Sequence, residues 1–187
     1  DTWKPEKSVC RNDIVDYLDE IDIEILRSWQ PVNEIFAKAK DLFMFQCYTG
    51  FAFADMQNFD IAQYKEINGR WIARKTRIKT GVPFVNVLLS PAVEILKRYD
   101  WKIPKVSISW YDIQLARMGK LIGLDIRLRS HVARHTFATM MLRNGVKIEN
   151  LARMLGHTNI TQTQRYAKVL AVSVQEEFEM IEKKMFN

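Results

Sequence analysis

The segment that decides the fold runs from Ser130 to Ala167 and reads SHVARHTFATMMLRNGVKIENLARMLGHTNITQTQRYA. It contains every histidine of the chain and a tyrosine near its end. Capping residues and glycines divide it into three predicted helices. The first begins with Ser130 as its N-cap, and the second ends at Gly156. The third begins with a capping-box pattern formed by Thr161 and Gln164.

Four side chains of this segment can meet when the helices pack together. His131 and Arg134 are three residues apart, so they share one face of the first helix. His157 follows the glycine that ends the second helix, and Tyr166 lies in the second turn of the third. A phenol is a weak nucleophile at neutral pH, but guanidinium and imidazole donors stabilise the charge that develops when it attacks a phosphodiester. The pattern therefore indicates phosphoryl transfer to Tyr166.

Other interpretations of the same residues stay open. His131 and His135 have the i, i+4 spacing of a zinc site, and His157 could supply the third ligand of a metal hydrolase. Position 132 is valine, however, where a zinc protease of the HExxH type carries its glutamate. The segment also has the pattern of a helix-turn-helix, with Gly145 near the turn. His135 is assigned to packing or capping, because it lies next to Arg134.

The chain before this segment contains the signals for one small sheet. Asn68 and Gly69 separate two strand-like runs, 63–67 and 70–76, and predict a hairpin with a primed turn. A third strand is predicted over 84–89, after a glycine and a proline that break the pattern. The remaining segments favour helices. The predicted fold class is therefore mainly α with a small three-stranded antiparallel sheet (α+β).

Positive charge is concentrated on two stretches. The chain has 28 Lys and Arg residues against 22 Asp and Glu residues, a formal net charge of +6. Residues 65–79 hold six basic residues and one acidic residue, and residues 129–168 hold seven and one. The rest of the chain is therefore net negative. Such a distribution is typical of a face that binds a polyanion such as DNA.

The short motifs ARHTFAT, LGHTNI and TQ-x-YA resemble the C-terminal motifs of the tyrosine recombinases, the phage integrase family. The resemblance covers roughly residues 17–187 and implies the catalytic-domain fold of that family. It also implies that Tyr166 is the nucleophile and that Arg134 is the second catalytic arginine. By the same resemblance, His131 and His157 are the histidines that flank the reacting phosphate.

The sequence departs from the family pattern T-G-L-R-x-x-E/D, because residues 49–55 read TGFAFAD. Ala52 therefore occupies the position of the first catalytic arginine. The TGFAFAD motif resembles that of the integrases of Bacteroides-type mobile elements. The family also has a catalytic lysine between its second and third strands, where Lys79 fits and Lys75 is the competitor. Residues i and i+2 of a strand point to the same side. If the strand extends to Lys79 and Lys79 points into the site, Arg77 points there too. Arg77 is therefore predicted to replace the missing arginine in part, or to contact a DNA phosphate.

Two domain boundaries follow from this resemblance. Residues 1–17 are expected to be a linker or the end of an upstream DNA-binding domain, and residues 18–187 the recombinase catalytic domain. Because the chain begins at Asp1 and not at Met, we expect a fragment of a longer protein. Residues 171–187 are predicted to form a C-terminal docking helix. Its apolar face is spaced at helical intervals: Val174, Phe178, Ile181 and Met185.

The predicted function is that of a site-specific recombinase or integrase, which cuts and rejoins double-stranded DNA through a 3′-phosphotyrosyl intermediate without metal, cofactor or ATP. The resemblance implies a homotetramer on DNA with exchange of C-terminal helices, and accessory DNA-bending proteins from host or element. The sequence contains no signal peptide, no apolar run of membrane length and only two cysteines. These features predict a cytoplasmic, nucleoid-associated bacterial protein. The alternatives are a catalytically impaired DNA-binding relative, because of Ala52, and a type IB topoisomerase.

Overall fold

The computed structural model describes residues 15–76, 81 and 83–186. In this part of the chain the fold is mainly helical, with one three-stranded sheet, which confirms the predicted fold class. The elements in chain order are α1 (Glu20–Ser28), α2 (Glu34–Thr49), α3 (Phe53–Gln57), a 3₁₀ turn (Ile61–Gln63), β1 (Lys65–Ile67), β2 (Arg70–Thr76), β3 (Pro83–Val87), α4 (Ser90–Arg98), α5 (Ile108–Leu121), α6 (Ser130–Arg143), α7 (Ile148–Leu155) and α8 (Thr161–Phe186).

The sheet is antiparallel, with the strand order β1-β2-β3. Asn68 and Gly69 have φ angles of 51° and 75°, so the predicted hairpin and its primed turn are confirmed. The outer strand β3 contacts α7, which anchors the sheet to the helical part of the fold. The connection from β2 to β3 contains Arg77 and Lys79, and both lie outside the described residues.

Helix α2 is the centre of the larger hydrophobic core. Every residue from 41 to 50 is buried, because α4, α5 and α6 all pack against this helix. Phe43 and Phe45 are completely buried, as are Leu115 and Met118 of α5. Full burial of one such side chain contributes about 1.5–3 kcal/mol to stability. The helices that carry the candidate chemistry are therefore held on a tightly packed support.

A buried polar network fixes the start of α6. The Tyr111 hydroxyl donates to Gln46 Oε1 at 2.9 Å, and Gln46 Nε2 donates to Ser130 Oγ at 2.9 Å. Asp112 Oδ1 accepts the backbone N–H of Ser130 at 2.9 Å. The prediction that Ser130 is the N-cap is therefore wrong. The N-cap position is Arg129, whose side chain makes no capping bond. The N–H of Ser130 is capped by Asp112 of α5, and the hydroxyl of Ser130 is bonded to Gln46.

Helix α8 is continuous from 161 to 186, so the predicted third helix and the predicted C-terminal helix form one element. No glycine or proline interrupts this stretch, and the helix therefore continues past Tyr166. Its first turn is capped by Asn159, whose Oδ1 accepts the N–H of Thr161 at 2.9 Å. This bond stands in place of the predicted capping box with Gln164. No helix in the described ranges has the length and apolar character needed to cross a membrane.

Gly50 is predicted to be irreplaceable, because it combines a left-handed backbone with a close neighbour. Its φ is +68°, and an added Cβ would lie 2.4 Å from Cδ1 of Phe137 on α6. Gly50→Ala should lower the free energy of unfolding by about 2–4 kcal/mol, from strain and overpacking together. Gly145→Ala is the matched control, since its φ is +80° and an added Cβ would meet nothing within 4 Å. Urea denaturation should show a clearly larger loss at Gly50, and equal losses would contradict the clash.

Candidate active site

Tyr166 lies inside a second, smaller hydrophobic core between α6, α7 and α8. Its side chain is almost completely buried, with 1% of its surface exposed. The burial arises because α8 packs against both other helices and turns this side chain inward. The other buried members of the cluster are Val15, Phe137, Ala138, Leu151 and Leu155.

Arg134 joins the ends of two helices beside this core. The side chain is 7% exposed, and its Nη1 donates to the carbonyl oxygen of Gly50 at 2.7 Å. Its Nη2 donates to the carbonyl oxygen of Leu155. Both carbonyls lie at helix C-termini, where oxygens lack intrahelical partners and the dipole favours a cation. The guanidinium is thereby held against the backbone two residues before Ala52 and two residues before His157.

His157 is oriented by the helix that carries the tyrosine. Gly156 has a left-handed backbone and ends α7, so His157 begins the connection to α8. Nδ1 of His157 lies 2.7 Å from Oγ1 of Thr163, which is fully buried in the first turn of α8. A hydroxyl can donate or accept, so it holds the ring in either tautomer. The rings of His157 and Tyr166 are nearly parallel, at 11°, with centroids 6.5 Å apart.

Two side chains that the sequence analysis did not assign to chemistry also contact the tyrosine ring. The His135 ring centroid lies 5.6 Å from that of Tyr166, at an interplanar angle of 56°. The guanidinium carbon of Arg165 lies 5.5 Å over the tyrosine ring, within cation–π range. His131 is exposed and stacks on His135, with centroids 6.4 Å apart. The sequence signal for His135 was its place directly after Arg134 and one turn from His131.

Burial lowers the pKa of His135 to about 4. A hydrogen bond with the backbone carbonyl of Asp16 acts in the opposite direction. Arg165, His131 and Arg134 add to the lowering, because a second cation beside them is unfavourable. His135 is therefore neutral at neutral pH.

The remaining predicted positions are only partly covered by the structure. Ala52 is the half-buried N-cap of α3, and Asp55 of the same helix is buried. Within the described ranges, no three His, Cys, Asp or Glu residues form a group that could hold a metal ion. All three histidines belong to those ranges, and they do not form such a group.

Comparison with known proteins shows which family the chain belongs to. The profile of the phage integrase family matches residues 17–172, most of the chain. The chain belongs to the phage integrase family. Tyrosine recombinase XerA of Saccharolobus solfataricus is 40% identical over 65 residues, which cover 35% of this chain and 22% of XerA. The chain therefore matches only a small part of the length of that relative.

Solved structures support the family fold. The XerH site-specific recombinase, in a post-cleavage complex with its palindromic difH substrate, matches with a TM-score of 0.69 at 17% identity. The match covers 89% of this chain and 53% of the XerH chain. The catalytic domain of bacteriophage HP1 integrase matches with a TM-score of 0.55 at 20% identity, over 83% of this chain and 88% of that domain. The predicted tyrosine recombinase catalytic-domain fold is thereby confirmed.

Proposed function

We propose that residues 18–187 form a catalytic domain that cuts and rejoins double-stranded DNA through a phosphotyrosyl bond to Tyr166. The observation that carries this proposal is one phenol ring set against His157, His135 and Arg165, in the small core that Arg134 braces. Family membership supports the phenol as nucleophile, and the XerH neighbour was captured on a DNA substrate after cleavage. The two basic stretches supply the charge that a DNA backbone requires.

In the proposed reaction, Oη of Tyr166 attacks the phosphorus of a DNA phosphodiester. The bond from phosphorus to Oη forms, and the bond from phosphorus to the 5′ oxygen breaks. The phenol gives up its proton to water, and the departing 5′ oxygen receives one, for which Lys79 is the proposed donor. A 5′ hydroxyl then attacks the phosphotyrosine and reverses these changes. Because the phosphodiester energy is retained, the proposed cycle uses no ATP. No metal or cofactor is proposed, because the arginine and histidine donors stabilise the charge that a metal would stabilise.

Arg134, His131 and His157 are the proposed donors to the non-bridging oxygens of the phosphate. Preorganised donors stabilise the transition state more than mobile ones. The two carbonyl bonds of Arg134 and the contact of His157 with Thr163 supply that order. Tyr166 is buried in this structure. We therefore propose that α8 or the tyrosine side chain shifts when DNA binds, so that Oη reaches the phosphate.

The C-terminal part of α8 is the proposed contact between protomers. Its residues Phe178, Ile181 and Met185 are 69%, 51% and 68% exposed. An apolar helix face in water is stabilised by docking on protein. We propose helix exchange in a homotetramer on DNA, in a bacterial nucleoid and with accessory DNA-bending proteins. Deletion of residues 172–187 should reduce the mass of the DNA-bound complex in light scattering, and an unchanged mass would contradict the exchange.

Covalent capture tests the proposed function directly. The protein is incubated with nicked duplexes whose central sequence is randomised, and complexes that survive SDS are recovered. We expect a phosphotyrosyl peptide that contains Tyr166, formed equally well in EDTA. DNA binding without any adduct would instead favour an impaired binding domain, the alternative that Ala52 supports. Relaxation of supercoiled plasmid by a monomer, without strand exchange, would favour a type IB topoisomerase.

Arg77 is the proposed partial replacement for the arginine absent at Ala52. Loss of one electrostatic contact to a developing charge costs about a hundred- to a thousandfold in rate. We expect Arg77→Ala to slow cleavage on saturating DNA by up to that factor, with little change in DNA affinity. Arg74→Ala, an exposed arginine on β2, is the control and should alter affinity and its salt dependence more than rate. Normal cleavage by DNA-bound Arg77→Ala would show that Arg77 does not replace the missing arginine. Ala52→Arg would then be the next variant to test.

A further inference from the structure

Residues 15–18, called here the lead-in segment, run along α6 and reach the tyrosine core. The backbone N–H of Leu18 donates to Oγ1 of Thr136 at 2.9 Å. One residue earlier on α6, Nδ1 of His135 lies 3.1 Å from the carbonyl oxygen of Asp16. Val15 is buried in the same apolar cluster as Tyr166. The lead-in segment is thus attached to the helix that supports the candidate nucleophile.

The contact with Asp16 defines the state of the His135 ring. A carbonyl oxygen only accepts, so Nδ1 of His135 carries the hydrogen. Because the half-buried ring is neutral at neutral pH, Nε2 is unprotonated. The same ring lies against Tyr166 on one side and His131 on another. One side chain therefore connects the backbone of the lead-in segment to the ring of the tyrosine.

We propose that His135 is a positioning residue, which fixes the position of the Tyr166 ring from which Oη moves to the phosphate, while the Asp16 carbonyl holds His135. The proposal rests on the proposed function of Tyr166. A nucleophile displaced by about 1 Å loses about a hundredfold in rate, so a ring that restricts the phenol has a measurable effect. Through this link, a displacement of the lead-in segment reaches the nucleophile by way of His135, in addition to the packing of Val15 in the same core.

Two substitutions separate the two contacts of His135. His135→Asn keeps an N–H donor near the position of Nδ1 but lacks the ring. His135→Phe keeps a ring against Tyr166 but lacks the donor to Asp16. Thr136→Val is the control, because it removes the neighbouring anchor of Leu18 and leaves both contacts of His135 in place. The rate of adduct formation is measured at saturating concentrations of a duplex selected by covalent capture, together with its affinity.

We expect both His135 variants to form adducts about ten- to a hundredfold more slowly, with DNA affinity unchanged. Thr136→Val should react at the rate of the unaltered protein, although it is less stable. An unaltered rate of adduct formation in His135→Asn would show that the ring is unnecessary. An unaltered rate in His135→Phe would show that the bond to Asp16 is unnecessary. Either result overturns the proposal, so one misfolded variant does not prevent the test. An equal loss in Thr136→Val would overturn it too, because general loosening would explain the data.

Fluorine NMR separates this proposal from the proposed function. The intact chain is labelled with 3-fluorotyrosine, and the signal of Tyr166 is identified by its absence in Tyr166→Phe. Without DNA, this signal should move in both His135 variants and stay in place in Thr136→Val. If the unaltered protein forms no adduct but the signals move as expected, the proposed function fails and the structural link stands. If adducts form and the signals do not move, the link is overturned and the function stands.

Discussion

Tyr166→Phe should abolish covalent protein–DNA adducts, a loss of at least about a thousandfold, while DNA affinity stays nearly unchanged. The substitution removes only the oxygen that would form the bond to phosphorus. The ring remains, and with it the packing in the small core and the contacts with His157, His135 and Arg165. Adducts are counted after SDS denaturation on the captured duplex, and affinity is measured by fluorescence anisotropy on the same DNA.

Tyr64→Phe is the control for the loss of a buried phenolic oxygen. Its hydroxyl donates to Oδ1 of Asn86 at 2.8 Å, in the larger core. This variant should lose stability and still form adducts, because the hydrogen bond it breaks lies outside the candidate site. A 3′-linked adduct that persists in Tyr166→Phe would falsify the role of Tyr166. The nucleophile would then have to be sought by mapping the modified peptide.

Arg134→Lys should damage both folding and cleavage, although the charge is kept. An ammonium is a single point of donation and cannot reproduce the planar fork that reaches Gly50 and Leu155. A buried carbonyl left without a donor costs about 1–3 kcal/mol, and a lost contact to the developing charge costs about a hundred- to a thousandfold in rate. Urea denaturation and adduct formation on saturating DNA measure the two effects separately.

Arg143→Lys is the matched control at the other end of α6. Arg143 is exposed and lies over the ring of Tyr17, with its guanidinium carbon 5.8 Å from the centroid. An exposed cation–π contact contributes only about 0.5–1 kcal/mol, so this variant should fold and cleave normally. Normal stability of Arg134→Lys would show that the two carbonyl bonds contribute little. Normal cleavage by the folded variant would remove Arg134 from the chemistry.

The parts of the fold that were predictable from sequence depend on short-range interactions. Asn68 and Gly69 predicted the primed turn because strand-like runs flank them on both sides. A two-residue connection of this type requires a positive φ at both residues, which Asn and Gly adopt readily. Gly156 predicted the end of α7, since a left-handed residue satisfies the last carbonyls of a helix. The order of histidine, arginine and tyrosine predicted the family, which the profile match over residues 17–172 confirms. The turn and cap signals each lie within a few residues of the feature they predict.

The N-cap of α6 was predicted wrongly because the hydrogen-bond partners of Ser130 are distant in the sequence. The N–H of Ser130 is capped by Asp112, 18 residues away, and its hydroxyl is bonded to Gln46, 84 residues away. No periodicity in the sequence reports such a partner.

The sequence by itself determined which residue types are available for phosphoryl transfer, and in what order they occur along three helices. Their assembly was decided by tertiary structure alone. Arg134 meets carbonyls 84 residues before it and 21 residues after it, and His135 meets one 119 residues before it. These acceptors are backbone oxygens, which every residue carries, so no side-chain pattern marks them. Only the packing of α2, α7 and the lead-in segment against α6 brings those oxygens within reach of the guanidinium and the imidazole.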